Sequence, residues 1–213
     1  SYEWDFTPVP LPRITGTRPK DGEREADPHR PFEILFNTAI DPDTVMPNVA
    51  FTPALSPTQV FTHFSSYDHV FRIDFGSRPS TDYEVRIGPD ISDVYGNTTG
   101  QTLTVNYRTA ALDPAVQLGV PGMIGTYNAA VPAQMLIGHL NTERLDLQLQ
   151  RVDPKSYADI RDGFWNPGVA SETVVERLRT WTVPVEAPLN DRRHTPVDLV
   201  EDGGKLEPGL YLL

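Results

Sequence analysis

Within seven residues, His63-Phe64-Ser65-Ser66-Tyr67-Asp68-His69 gathers two imidazoles, a carboxylate and two hydroxyls. These are the groups of a nucleophile–base–acid relay or, through the imidazoles, of a zinc site. Either use depends on the elements that hold them. Residues 59–64 and 70–75 read as two strands of a hairpin, so residues 65–68 become its loop. His63 and His69 are then near cross-strand neighbours, within reach of one zinc ion. A relay fares worse, because a hairpin tip gives no rigid frame around which serine, base and oxyanion donors could be arranged. The plain reading is a polar tip with partly exposed imidazoles.

The other candidates resolve in the same direction. Asp41, Asp43, Asp90 and Asp93 with Asn97 form carboxylate- and amide-rich turns. Calcium needs about six or more converging oxygens, and neither turn has the spacing of an EF-hand loop, so turn and capping roles are expected. His139 alternates with Met135 and Ile137, as a satisfied, partly buried strand imidazole would. His29 and His194 lie in polar loops containing proline or arginine and say nothing specific. Phe164 and Trp165, in a Pro/Gly-containing loop, are either a surface docking patch or a plug on the edge of their own sandwich. Residues 119–125 hold three glycines but no Lys-Ser/Thr and no following helix, which rejects a phosphate cradle. No catalytic, cofactor-binding or metal-binding residue is assigned, and the chain is expected not to be an enzyme.

Bulk properties narrow the classes further. The 213 residues carry a formal charge of −11, with 9 basic and 15 acidic residues through Leu112 and 9 and 14 beyond it. Acidity this evenly spread argues against nucleic acid as a partner, since phosphate binding needs a basic stripe. No apolar run approaches the roughly 20 residues of a membrane helix. The absence of cysteine removes disulfides and thiolate chemistry but leaves the compartment open. The start at Ser1-Tyr2-Glu3-Trp4, without a signal peptide, is what a piece cut from a longer protein would show.

With 21 prolines and 15 glycines, the chain suits many short strands and turns. Strands are expected at 13–17, 32–37, 49–52, 59–64, 70–75, 83–87 and 103–108, the count and spacing of an immunoglobulin-like sandwich. Phe71, Ile73 and Phe75 make one buried row, and Tyr83, Val85 and Ile87 another. Tyr83, entering a strand just after Arg78-Pro79, suits a tyrosine corner or plain core equally. Residues 109–114 lack periodicity and form the boundary between an immunoglobulin-like domain, 1–112, and a second β-sandwich, 113–213. In the second, strands are expected at 116–120, 123–127, 134–140 and 145–150, with a short helix from Pro154 to about Arg161. A strand is favoured through the latter part of 174–185, and a last strand over 210–213. The fold class is all-β, two consecutive sandwiches.

Pro19-Lys20-Asp21-Gly22, Ile34-Leu35-Phe36, Asp41-Pro42-Asp43-Thr44 and Asp93-Val94-Tyr95-Gly96-Asn97 together resemble the pattern of bacterial immunoglobulin-like domains, over about residues 11–110. Residues 145–152, Asp153-Pro154-Lys155-Ser156-Tyr157, Thr180-Trp181-Thr182-Val183 and Leu206-Glu207-Pro208-Gly209-Leu210-Tyr211 look like a macroglobulin (fibronectin-type) domain. The order of the two is similar to the N-terminal half of large bacterial alpha-2-macroglobulins. That resemblance implies a protease-trapping parent outside the cytoplasm, at the cell surface or in the periplasm. In many members a Cys-Gly-Glu-Gln thioester captures the protease covalently, and this chain carries neither it nor a recognisable bait segment. The resemblance thus implies a non-enzymatic framework piece whose partners are neighbouring domains of the same chain and, indirectly, target proteases. The alternative is a pair of modules from a bacterial surface adhesin or glycan-binding array. A stand-alone hydrolase is disfavoured.

Overall fold

Phe32, Ile34 and Phe36 are buried while Glu33 and Leu35 between them are less so, the two-residue period of a strand with one face in a core. The structure, a computed structural model, describes residues 2–5, 10–120, 125–154, 157 and 176–213. The chain divides into two compact units, Ser1–Leu112 and Asp113–Leu213.

In the first unit, β1 (Ile14–Arg18), β2 (Phe32–Phe36), β4 (Phe61–Ser65) and β5 (Val70–Asp74) form an antiparallel sheet in the order β1-β2-β5-β4. The second sheet orders β3 (Val49–Thr52), β6 (Asp82–Ile87) and β7 (Leu103–Arg108) as β3-β6-β7. All seven expected strands are present. β4 starts at Phe61 because Pro57–Gln59 makes a 3-10 turn before it. Both sheets contribute to one core, with Phe32, Ile34, Phe71 and Ile73 from one and Phe51, Tyr83, Val85 and Val105 from the other. Fully burying each such side chain is worth about 1.5–3 kcal/mol before entropy.

Five rings close a circuit inside that core. Phe32 meets Phe51 edge-on at 5.5 Å, Phe51 meets Phe75 at 5.0 Å, and Phe75 meets Tyr83 at 5.6 Å. Tyr83 stacks on Tyr107 at 5.3 Å, and Tyr107 stacks back on Phe32 at 5.9 Å. Burial first, and the neighbouring Tyr83 second, push the Tyr107 phenol far above its ordinary value. The Tyr83 hydroxyl accepts the backbone N–H of Arg78 at 2.9 Å. This is a tyrosine corner, and it fixes the turn that leads into β6.

The second unit also has two sheets, each of three strands. β12 (Arg193–Asp198), β9 (Gln134–Leu140) and β8 (Ala115–Leu118) form one; β11 (Glu176–Pro184), β10 (Arg144–Val152) and β13 (Leu210–Leu212) form the other. Leu145, Leu147 and Leu149 of β10 are buried, their alternation with polar residues giving the strand its single core face. They pack in two apolar clusters with Ile137 and Val197 from the first sheet and with Leu199 and Leu206. Met135, Trp181 and Leu213 touch both clusters and join them.

Two expectations change here. β12 is an additional strand; Pro196 within it is tolerated because β12 lies at the sheet edge. Of the strand expected over 123–127, the described part, 125–127, has no regular structure. Of the helix expected after Asp153, Pro154 and Tyr157 are described and helical, with Tyr157 N–H donating to the Asp153 carbonyl at 3.0 Å. The remainder lies outside the described residues, as do Phe164 and Trp165. Tyr211 of β13 and Leu213 just after it pack against the core, while Leu210 is exposed.

Candidate functional site

The hairpin tip separates its two histidines. Ser65 pairs with Val70, so the turn comprises residues 66–69, and His63 faces Arg72 across the sheet. His69 occupies the last turn position with φ +53°, its carbonyl accepting the Phe36 N–H at 2.9 Å. The expected cross-strand histidine pair is therefore not made, because the turn begins one residue later and the register shifts with it. Tyr67 projects from the tip almost fully exposed.

What the register does bring together is a row of charge. Arg18 lies opposite Glu33, and Glu33 opposite Arg72. The Glu33 carboxylate accepts from Arg18 at 2.8 Å and from Arg72 at 2.9 Å, and Arg72 also reaches Asp68 at 3.0 Å. The Ser65 hydroxyl, then the Arg72 guanidinium, hold the Asp68 carboxyl below the usual aspartate value. Asp68 in turn strengthens the hold of Arg72 on its proton. The aspartate of this segment is thus paired with an arginine, which leaves no unpaired carboxylate to orient a histidine as base. Ion pairs at a protein surface add little individually and somewhat more as a network.

The carboxylates of the turns are engaged with backbone. Asp93 is buried; its Oδ1 accepts the N–H groups of Tyr95 and Asn97, each at 2.9 Å, and its Oδ2 accepts the Asn97 amide at 2.9 Å. These bonds, the Asn97 amide first, lower its pKa against the opposing effect of burial. Asp41 caps the 3-10 turn Pro42–Thr44 by accepting Asp43 N–H at 3.1 Å. The Thr44 hydroxyl donates to the Asp41 carbonyl at 2.7 Å and accepts Ser92 N–H at 3.1 Å, which ties the two acidic turns together. Asp90 is exposed. Among the described residues no group of three or more His, Cys, Asp or Glu side chains is gathered to hold a metal ion.

A surface cleft of about 340 Å³ in the first unit is lined by Arg24, Asp82, Glu84 and Asn106, among others. Its carboxylates are already paired, Asp82 with Arg108 at 2.6 Å and Glu84 with Arg86 at 2.7 Å. In the second unit His139 is fully buried, its Nε2 within 2.9 Å of the Thr195 hydroxyl, whereas Nδ1 has no partner among the described residues. The sequence predicts partial burial; the structure buries the ring fully, and β12, unrecognised in the sequence, supplies its Thr195 partner. His194 lies against Gly138, where an added Cβ would stand 3.3 Å from its Nε2. His29 is exposed. At Gly119 a Cβ would come within 2.6 Å of the Leu136 carbonyl, so this glycine serves close strand approach. Arg179 lies over the Trp181 ring at 4.4 Å and donates to the Asp198 carbonyl at 2.9 Å, a link between sheets that only the register reveals.

Residues 9–109 match the family model described as a bacterial Ig-like domain. No curated protein matches the chain in sequence. In structure the chain is similar to Salmonella alpha-2-macroglobulin reacted with methylamine, at 15% identity and a TM-score of 0.64, over 95% of this chain and 12% of that one. A mutant of the Salmonella protein gives 16% identity with the same coverage and TM-score. A segment of native alpha-2-macroglobulin from Escherichia coli is also similar, at 16% identity and a TM-score of 0.42, over 94% of this chain and 64% of that one. The chain spans 12% of the length of the Salmonella protein. Residues 9–109 thus have the bacterial Ig-like fold, and the chain has the fold of a segment of bacterial alpha-2-macroglobulin.

Proposed function

We propose that this chain is a non-enzymatic framework segment of a bacterial alpha-2-macroglobulin-like protein that acts outside the cytoplasm on proteases. The observation that carries this reading is the match to the Salmonella protein, at TM-score 0.64, which covers 95% of the chain and so takes in both units. An Ig-like module alone, at residues 9–109, would equally suit an array of surface modules. The side chains support a structural role, since Asp41, Asp93 and Asp68 hold turns and an arginine rather than facing an open site. Neighbouring domains of the same chain are its direct partners on this reading, and proteases are met only by the assembled parent.

The test is made on the full-length parent. A trapped protease is enclosed, so it should lose activity on large protein substrates while still cleaving small chromogenic peptides. Equal loss on both substrates, or no loss on either, would refute trapping. Fractionation of cells should place the parent outside the cytoplasm, and recovery in the cytoplasm would overturn that part of the proposal.

A further inference from the structure

The strand pairings of the first unit bring three loops to one end of its sandwich. Ile14 pairs with Phe36, and Leu35 with Val70, which also pairs with Ser65. In the other sheet Val49 pairs with Ile87, and Ile87 with Leu103. Residues 37–48, 66–69 and 88–102 therefore share that end, and hydrogen bonds tie them together. Phe36 N–H donates to the His69 carbonyl at 2.9 Å, and Asp41 N–H to the Ser92 carbonyl at 2.8 Å. Ile14 N–H donates to the Gln101 side-chain carbonyl at 3.0 Å, and the Asn37 amide to the Leu11 carbonyl at 3.0 Å.

Two properties set this end apart. Between residues 10 and 112 the large apolar side chains left exposed are Leu11, Phe61, Tyr67, Val94 and Tyr95. All but Phe61, which pairs with Asp74 at the opposite end, stand here. Tyr67 is 97% exposed, Tyr95 72% and Val94 68%. The three loops also hold five aspartates, Asp41, Asp43, Asp68, Asp90 and Asp93, and neither lysine nor arginine. At the opposite end, residues 19–31, 53–60 and 75–81 carry four acidic and four basic residues. Arg13 and Arg72, the latter bonded to Asp68 at 3.0 Å, lie at the margin of the acidic end and leave it negative.

Val94 and Tyr95 are presented on a fixed turn, because the Asp93 carboxylate accepts the N–H groups of Tyr95 and Asn97. Large side chains on a fixed backbone lose little entropy on contact. Grouped apolar exposure marks a contact surface, and the surrounding carboxylates select a cationic partner. We propose that this end of the first unit is a docking surface for a protein segment that carries arginine or lysine beside apolar side chains. The two tyrosine rings serve both parts of such a segment, since their faces attract cations. This inference does not rest on the parent being a protease trap.

Amide NMR titration of the 213-residue chain with two synthetic peptides, one alternating arginine with valine and one alternating glutamate with valine, tests it. The arginine peptide should shift the signals of residues 41–43, 67–68 and 90–95 and bind at least about tenfold tighter than the glutamate peptide. Tyr67→Ser with Tyr95→Ser should weaken it about tenfold, whereas Phe61→Ser, at the opposite end, should not. Asp43→Asn with Asp90→Asn should weaken it and flatten its salt dependence. Glu201→Gln with Asp202→Asn removes two exposed charges from the second unit and should change nothing. Equal binding of the two peptides, shifts confined to other residues, or equal loss from both pairs of charge variants would overturn the proposal. Self-association of the chain alone that Tyr95→Ser abolishes would make a second copy the occupant and overturn it too.

Discussion

Replacing Tyr83 by phenylalanine removes one oxygen from a side chain that does two jobs. The hydroxyl accepts Arg78 N–H at 2.9 Å, and the ring packs against Phe75 at 5.6 Å and Tyr107 at 5.3 Å. Tyr83→Phe keeps the ring and deletes only the acceptor. The lost bond, with a part-buried N–H left to find another partner, should cost about 1–2 kcal/mol. Tyr83→Leu also forfeits the two ring contacts, each worth about 0.5–1.5 kcal/mol. Its total should therefore reach about 2–5 kcal/mol. Urea titration followed by intrinsic fluorescence gives both numbers, provided the slope of the transition is unchanged. In thermal melts each kcal/mol should lower the first unit's transition by about 4–8 °C for a domain of this size. Should Tyr83→Phe match the parent while Tyr83→Leu shows the full loss, the hydroxyl bond contributes nothing and Tyr83 is simply core.

Three other outcomes are expected. The folded-state pKa of Asp93 lies below its ordinary value of 3.8, so its stabilisation is complete above that value and lost as pH falls through the lowered one. Acid titration of the parent and of Asp93→Asn should therefore converge below that window and diverge above it, and parallel curves would count against the reading. Deleting residues 210–213 removes β13 and the Leu213 contact that joins the two apolar clusters. The second unit's transition should disappear while the first unit's persists, and an unchanged second transition would show β13 to be dispensable. Generic ester and peptide substrates should not be turned over; hydrolysis abolished by His69→Ala would overturn the non-enzymatic proposal.

The first sheet pair was legible because its strands obey a simple period. Phe71, Ile73 and Phe75 alternate cleanly, and so do Tyr83, Val85 and Ile87, and every one of them is buried. β12 was not legible because Arg193, His194 and Pro196 interrupt its pattern; only Thr195 and the buried Val197 carry the alternation. The charge row escaped for a different reason. Arg18, Glu33 and Arg72 are far apart in the chain, and their meeting depends on a register that no local pattern encodes. A shift of one residue would have turned each to the opposite face. The same dependence undid the histidine pair: with the turn one residue later than expected, His63 faces Arg72.

The residues that carry the resemblance to bacterial Ig-like domains are the ones that anchor loops. Asp21 of Pro19-Lys20-Asp21-Gly22 accepts a β7 N–H. Asp41 and Thr44 of Asp41-Pro42-Asp43-Thr44 cap a turn and bind Ser92. Asp93 and Asn97 of Asp93-Val94-Tyr95-Gly96-Asn97 close their turn on a buried carboxylate. Asp41 and Asp93 accept backbone N–H groups of their own turns, which would otherwise lack partners where the chain reverses, and Asp21 accepts one from a strand. The pattern that resembles a functional signature is therefore a requirement of folding many short strands with tight turns. It can persist in proteins of unrelated activity, so the pattern fixes the fold of this module and not what it does.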